Sequence, residues 1–441
     1  MRISNVLLML TAATLLFPFN AKSQTNSLQS KVDAYIGAYV KNGDFSGNVL
    51  IAKGKKILFA KSYGKANYEL NVPMQMDIKF RIASLSKTFT AAAIELLQKK
   101  GLLNYADKLS KYIPDFTGGD SIEIIDLLLH RSGIADIDYD KYALDQFQLN
   151  DVIDSLKNKP LYFKPGSQSR YSNSGYLVLA YTIEKVSGET YTEFLSKNIF
   201  KPLALKNTGV DKTGIIIQNK ATGYSIGEGA NGIAQAAWYD INLETGSGSL
   251  YSTTGDLLKW LQAIHTNAGF TTTSLPYPFG WGVREYFKGH KSIEQSGFLN
   301  GYSSYMSIFP SDSLYIVALS NISSNFNEQS GRDIAAIYFN QNYSIPAIRK
   351  NVLINDLNAY TGKYSWPGYK DFFIEKKGNT IYWRFVDEKN GSPLTPVSND
   401  MFLLRLTNNK ITFEKDATNK VTELNFFSGQ DKTTCKKVSN L

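Results

Sequence analysis

Two strand-forming stretches near the start of the chain and three between residues 291 and 321, parted by a long helical pattern, limit the fold most. Residues 28–41, "LQSKVDAYIGAYVK", predict a helix. The stretch "GNVLIAKGKKILFAKSYG" follows as two apolar runs around Lys53-Gly54-Lys55, the pattern of a β-hairpin. From about 84 to 200 the pattern is mostly helical, with loops near Pro114, Gly133 and Pro165. Strand-like runs return at 291–297, 301–309 and 314–321, and a helix is expected near 328–342. This order implies an α+β fold: one antiparallel sheet flanked by helices, its sequence split by a helical insertion. A cleft between sheet and helices is the natural place for a site.

The texture changes after about residue 350. "DFFIEKKGNTIYWRFV", "MFLLRLTNNKITFEKD" and "KVTELNFF" are short alternating runs separated by Gly and Asn turns, as in a small antiparallel β domain. The other end, "MRISNVLLMLTAATLLFPFNAKSQ", has the form of a secretory signal: Arg2, an apolar stretch from Val6 to Phe19, then Ala21-Lys22-Ser23. The expected organisation is a leader over 1–23, a main domain over 24–347 and a β domain over 348–441, with the mature protein periplasmic or secreted. No later run reads as a membrane helix, and no cysteine follows the leader to carry lipid, so no stable membrane anchor is expected. Loss of Arg2 and Lys22 with the leader takes the formal charge from +9 to +7. The remaining lysines are scattered, which argues against a nucleic-acid partner. Cys435 is the single cysteine, so no internal disulfide is expected and the core alone must stabilise the exported chain.

Residues 81–92, "RIASLSKTFTAA", raise the functional question. Serine is a favoured helix N-cap, and "LSKTFTAAAIELLQKKG" is a good helix closed by Gly101. The spacing S-x-x-K is also common; Ser62-Tyr-Gly-Lys65 has it just upstream. Yet Lys87 falls in the first helical turn, where the macrodipole disfavours a cation by roughly 0.3–1 kcal/mol and a capping box would carry Glu or Gln. Ser84 and Lys87 share one helix face, and a helix N-terminus offers N–H groups to a developing oxyanion. A base is also needed. Tyr171-Ser172-Asn173 within "FKPGSQSRYSNSGY" offers a tyrosine, although Asn173 equally suits a cap for the helix that follows. A tyrosine hydroxyl ionises near ~10, so use as a base near neutrality requires a close cation, a role open to Lys87 if the fold brings them together.

In these blocks the chain resembles the serine β-lactamase and penicillin-binding protein superfamily, in its AmpC-like, esterase-related branch. Ser84-Leu-Ser-Lys87 resembles the first motif and Tyr171-Ser-Asn173 the second, in the family's order. "LLLHRSGI", "PLALKNTG", "GSGSLYSTTGDLLKW" and "FGWGV" resemble further blocks, and the C-terminal segment resembles the small β-barrel appended to some members. The resemblance implies a transpeptidase-like fold and covalent chemistry without metal or cofactor. Ser84 attacks an ester, amide or lactam carbonyl, Tyr171 and Lys87 manage its proton, and Asn173 positions Lys87 and the substrate. Which of Tyr171 and Lys87 is the base stays open. Where the family carries Lys-Thr-Gly or His-x-Gly, this chain has Gln295-Ser296-Gly297, an uncharged version that weakens the case for carboxylate-bearing substrates such as β-lactams. By the same match, the N–H groups of Ser84 and Phe298 hold the oxyanion. Lys291 or His290 offers compensation from nearby, but Lys291 is four residues from Gln295, roughly 13 Å along a strand, which argues against direct replacement.

His130, His265 and His290 are in no metal-ligand spacing, and His130 reads as a structural histidine at a helix end. The glycines of "TGSGSLYSTTG" fit no nucleotide fingerprint, and Phe279-Gly-Trp281-Gly suits a substrate wall or the core equally. The expected activity is that of an exported serine hydrolase acting on small esters, peptides or peptidoglycan fragments. Its rivals are a penicillin-binding sensor that acylates without turnover, and a non-catalytic envelope-binding module.

Overall fold

The computed structural model describes residues 21–139, 147–227, 232–266, 269, 279–349, 352–388, 391–407, 409–428 and 431–440. The leader expected over 1–23 lies outside these except for its last three residues, which open helix α1 (Ala21–Lys41). The hairpin forms as β1 (Gly47–Lys53) and β2 (Lys56–Tyr63), turning at Gly54 with φ +56°. A strand not read from the sequence, β3 (Gly282–Phe287), precedes the three later runs, which form β4 (His290–Leu299), β5 (Tyr302–Phe309) and β6 (Leu314–Ser320). They join in one antiparallel sheet of order β3-β4-β5-β6-β1-β2, with β1 against β6 in register from Gly47–Ser320 to Lys53–Leu314.

The apolar run "LYIVALS" of β6 is buried on both faces, which is why it does not alternate. Val49, Ile51, Ile316 and Ala318 face α1 and the helix Glu328–Tyr338. Leu50, Met306, Val317 and Leu319 face the inserted helices. The helix expected over 328–342 stops at Tyr338, and Asn340 turns the chain with φ +53°.

On the second face stand helix α2 (Ser86–Lys99) and the helices Asn173–Ser187 and Thr254–His265. A small sheet not read from the sequence, Phe80–Arg81, Leu250–Ser252 and Gly209–Val210, ties both ends of the insertion together. It lays the loop 245–249 against the start of α2. C-terminal to this body, eight antiparallel strands from Gly362–Ser365 to Asp431–Ser439 close into a barrel. Its interior is filled by alternate residues such as Tyr364, Phe372, Trp383, Phe413 and Cys435. Among the described residues, no helix is long and apolar enough to cross a membrane.

Candidate active site

Ser84 is not the helix cap. It lies in a single 3₁₀ turn, Ala83–Leu85, and α2 begins two residues later with Leu85 as N-cap and no side-chain capping bond. Ala83, fully buried, takes φ +51°, a left-handed backbone that costs a non-glycine residue roughly 1–3 kcal/mol. The strain sits immediately before the serine. Packing holds α2 from behind: Phe89 stacks on Trp260 at 4.2 Å, and the Trp260 indole N–H donates to Thr88 Oγ1 at 3.1 Å.

Lys87 is completely buried. Its ammonium group donates to Ser84 Oγ at 3.0 Å, Asn173 Oδ1 at 2.8 Å and the Ser247 carbonyl at 2.8 Å, so all three of its protons have acceptors. These bonds offset its unfavourable place in the first helical turn. The Tyr171 hydroxyl donates to Ser84 Oγ at 2.7 Å, and the Lys87 ammonium lies 4.8 Å from the Tyr171 ring centroid. The fold therefore brings Ser84, Lys87, Tyr171 and Asn173 into one cluster. Ser172, not Asn173, caps the helix Asn173–Ser187 by accepting from the Gly175 N–H. That leaves the Asn173 side chain to reach Lys87.

The third segment lies on β4 across from Ser84. A methyl group on Gly297 would stand 2.8 Å from the Ser84 amide nitrogen and 2.7 Å from the Ile82 carbonyl, so the strand approaches the serine only because this residue is glycine. Phe298 is about half exposed, at 51%, on the rim. The Gln295 side chain folds back, its Oε1 accepting from the Ser296 N–H at 3.2 Å, and Ser296 Oγ donates to Glu328 Oε1 at 2.9 Å. Together these residues border a cleft of about 790 Å³. His290 and Lys291 do not line it; His290 pairs with Asp312 at 2.9 Å and packs on Phe339. The rival Ser62 is in β2, outside the cleft.

His130 is a scaffold for the tyrosine. Its Nδ1 accepts the Ser172 N–H at 3.1 Å, and its ring lies 4.7 Å from that of Tyr171. Burial, with the nearby Lys87 charge, pushes its pKa down to about 4, so it is neutral at ordinary pH. Phe279 and Trp281 belong to the core, and Gly280, with φ +79°, lets the chain pass the Lys87 carbonyl. Gly246, with φ +82°, likewise crosses close to the Tyr176 carbonyl and carries Ser247 to Lys87. Among the described residues no group of three His, Cys, Asp or Glu is placed to hold a metal ion.

Two features escaped the sequence reading. Glu244 is buried beneath the cluster and bonded to the hydroxyls of Ser247 and Tyr139; Tyr139 in turn accepts from Asn173 Nδ2 at 3.2 Å. Burial raises the Glu244 pKa, while Lys87 and the two hydroxyls oppose that shift. Its only trace in the sequence is an acid beside the glycines of "LETGSGS". The other is the cleft wall formed by Glu328 and Arg332 on the last helix of the main body and by Leu406 of the barrel.

Comparison with known proteins gives the family and the fold. The family model described as Beta-lactamase matches residues 32–338, and one described as "Domain of unknown function (DUF3471)" matches 354–437. Penicillin-binding protein 4* of Bacillus subtilis is 28% identical over 84% of this chain and 90% of its own length. Protein flp of Staphylococcus aureus is 29% identical over 68% of this chain and 65% of its own. Among solved structures, the octameric penicillin-binding protein homologue from Pyrococcus abyssi aligns over 92% of this chain and 99% of its own. The TM-score is 0.62 and the identity 21%. D-amino acid amidase from Ochrobactrum anthropi SV3 aligns over 71% of this chain and 98% of its own, with a TM-score of 0.63 and 20% identity. At these identities the structures establish the shared fold.

Proposed function

Because the chain belongs to the Beta-lactamase family, we propose that it is a serine hydrolase that opens ester, amide or lactam bonds through an acyl group on Ser84. The observation that carries this reading is the pair of contacts on Ser84 Oγ: the buried Lys87 ammonium at 3.0 Å and the Tyr171 hydroxyl at 2.7 Å. A serine serving only as a helix cap needs neither.

One proton is first lost from the Lys87–Tyr171 pair, leaving either the lysine amine or the tyrosine oxygen free to accept. Ser84 Oγ then bonds to the substrate carbonyl carbon, its proton passes to that free site and the carbonyl electrons move onto oxygen. The Ser84 and Phe298 N–H groups hold that oxyanion, the glycine at 297 leaving room for it. Collapse re-forms the carbonyl and breaks the bond to the leaving group, which takes the proton. Water then repeats the sequence on the acyl-serine and frees the acid. Asn173 and the Ser247 carbonyl keep Lys87 in place throughout.

The same reading makes the mature protein an exported one, on the strength of the leader pattern over 1–23. Its substrates are then small esters, peptides or peptidoglycan fragments. The test is the time course of p-nitrophenyl acetate hydrolysis. Sustained turnover, slowed by about 10²–10⁴ in Tyr171→Phe, is expected. A burst of one equivalent without turnover points to a sensor, and no release on folded protein points to a binding module.

A further inference from the structure

We propose that Glu328 selects substrates carrying a protonated amine close to the scissile carbonyl; the inference rests on the hydrolase reading above. Glu328 opens the helix Glu328–Tyr338, is solvent-exposed and lines the same cleft as Ser84. Its carboxyl group accepts from Ser296 Oγ at 2.9 Å. Ser296 immediately precedes Gly297, whose missing side chain lets β4 approach the Ser84 amide. Ser296 and Gly297 point to opposite faces of β4, and the cleft spans both, so the acid stands across this strand from Ser84, where a group flanking the reacting carbonyl can meet it.

Two observations give this placement its meaning. Gln295 carries no charge, and its carbonyl oxygen is turned onto the Ser296 N–H. The Ser296 hydroxyl already gives its proton to the carboxylate, so it has none left for an anionic substrate. Among the described residues, two cations lie in or beside the cleft, and neither bonds the third segment. Lys87 is buried with its three protons taken, and Arg332 bonds Gln329 and lies 5.2 Å from the Tyr286 ring centroid, one helical turn further along. The charged group bonded to the third segment itself is therefore the Glu328 carboxylate. A carboxylate there meets repulsion, while an ammonium gains an ion pair with Glu328.

The test compares kcat/KM at about pH 6.5, where an α-amine is protonated, for D- and L-alanine methyl esters with the amine free, acetylated or succinylated. Ser84 labelling by a neutral fluorophosphonate is followed in parallel. The free amine is expected to be preferred over the acetyl form by at least about fivefold, and the succinyl form to be poorest. Glu328→Gln, which still accepts from Ser296, should remove most of that preference, and Glu328→Lys should turn it toward the succinyl ester. A preference that is absent, or unchanged in Glu328→Gln while Ser84 still labels, overturns the inference and leaves the hydrolase reading standing. No labelling of Ser84 and no hydrolysis of any ester overturns both.

Discussion

At the scale of single residues, the cluster is built from groups that would be costly apart. A buried lysine requires acceptors for every proton, and Lys87 finds them on Ser84, Asn173 and Ser247. Ser84 and Lys87 were legible because a cation in the first turn of a helix breaks a local rule. Glu244 was not: its burial depends on contacts with Ser247 and Tyr139 that neighbouring residues in the chain do not announce. The third segment is the departure with the clearest consequence. Gln295→Lys should raise the rate of Ser84 acylation by a carboxylate-bearing β-lactam about tenfold, measured by stopped-flow or intact mass. An unchanged rate would mean that this side chain does not face the bound ligand.

At the scale of elements, the hairpin and the three later strands were legible because their apolar runs are bounded by Gly and Asn turns. The small sheet of Phe80–Arg81, Leu250–Ser252 and Gly209–Val210 was not, since strands of two or three residues carry no periodicity. It nevertheless lays the Ser247 loop against α2. The segment ending at His130 fixes Tyr171 in a similar way, and it makes stability depend on pH. An unfolded chain takes up a proton at His130 near 6.5, whereas the folded protein resists until about 4. Stability is therefore full above 6.5 and falls by roughly 3 kcal/mol as pH drops through that window. His130 has φ +56°, which asparagine also tolerates. In urea unfolding at about pH 7 and about pH 4.5, His130→Asn should lose less stability on acidification than the unchanged protein. Equal losses would remove His130 as the cause.

At the scale of the whole molecule, the barrel is locked to the main body through Asp44. Arg405 of the barrel donates to Asp44 Oδ1 at 3.0 and 2.6 Å and to the carbonyls of Asn42, Gly43 and Gly232. Arg349 holds the other carboxylate oxygen at 2.7 Å. The next barrel residue, Leu406, borders the active-site cleft, so this lock also fixes one wall of the site. The alternating strands of the barrel could be read from the sequence, but the lock could not, because Arg405 and Asp44 are 361 residues apart. Arg405→Met should cost roughly 3–5 kcal/mol and separate thermal unfolding into two transitions; a single transition at the original temperature would show that the lock contributes little. The central claim, that Ser84 is an activated nucleophile, is tested most directly by intact mass after exposure to a fluorophosphonate. One adduct on the unchanged protein, absent in Ser84→Ala, is the predicted result; no adduct on folded protein, or an adduct that survives in Ser84→Ala, would contradict it.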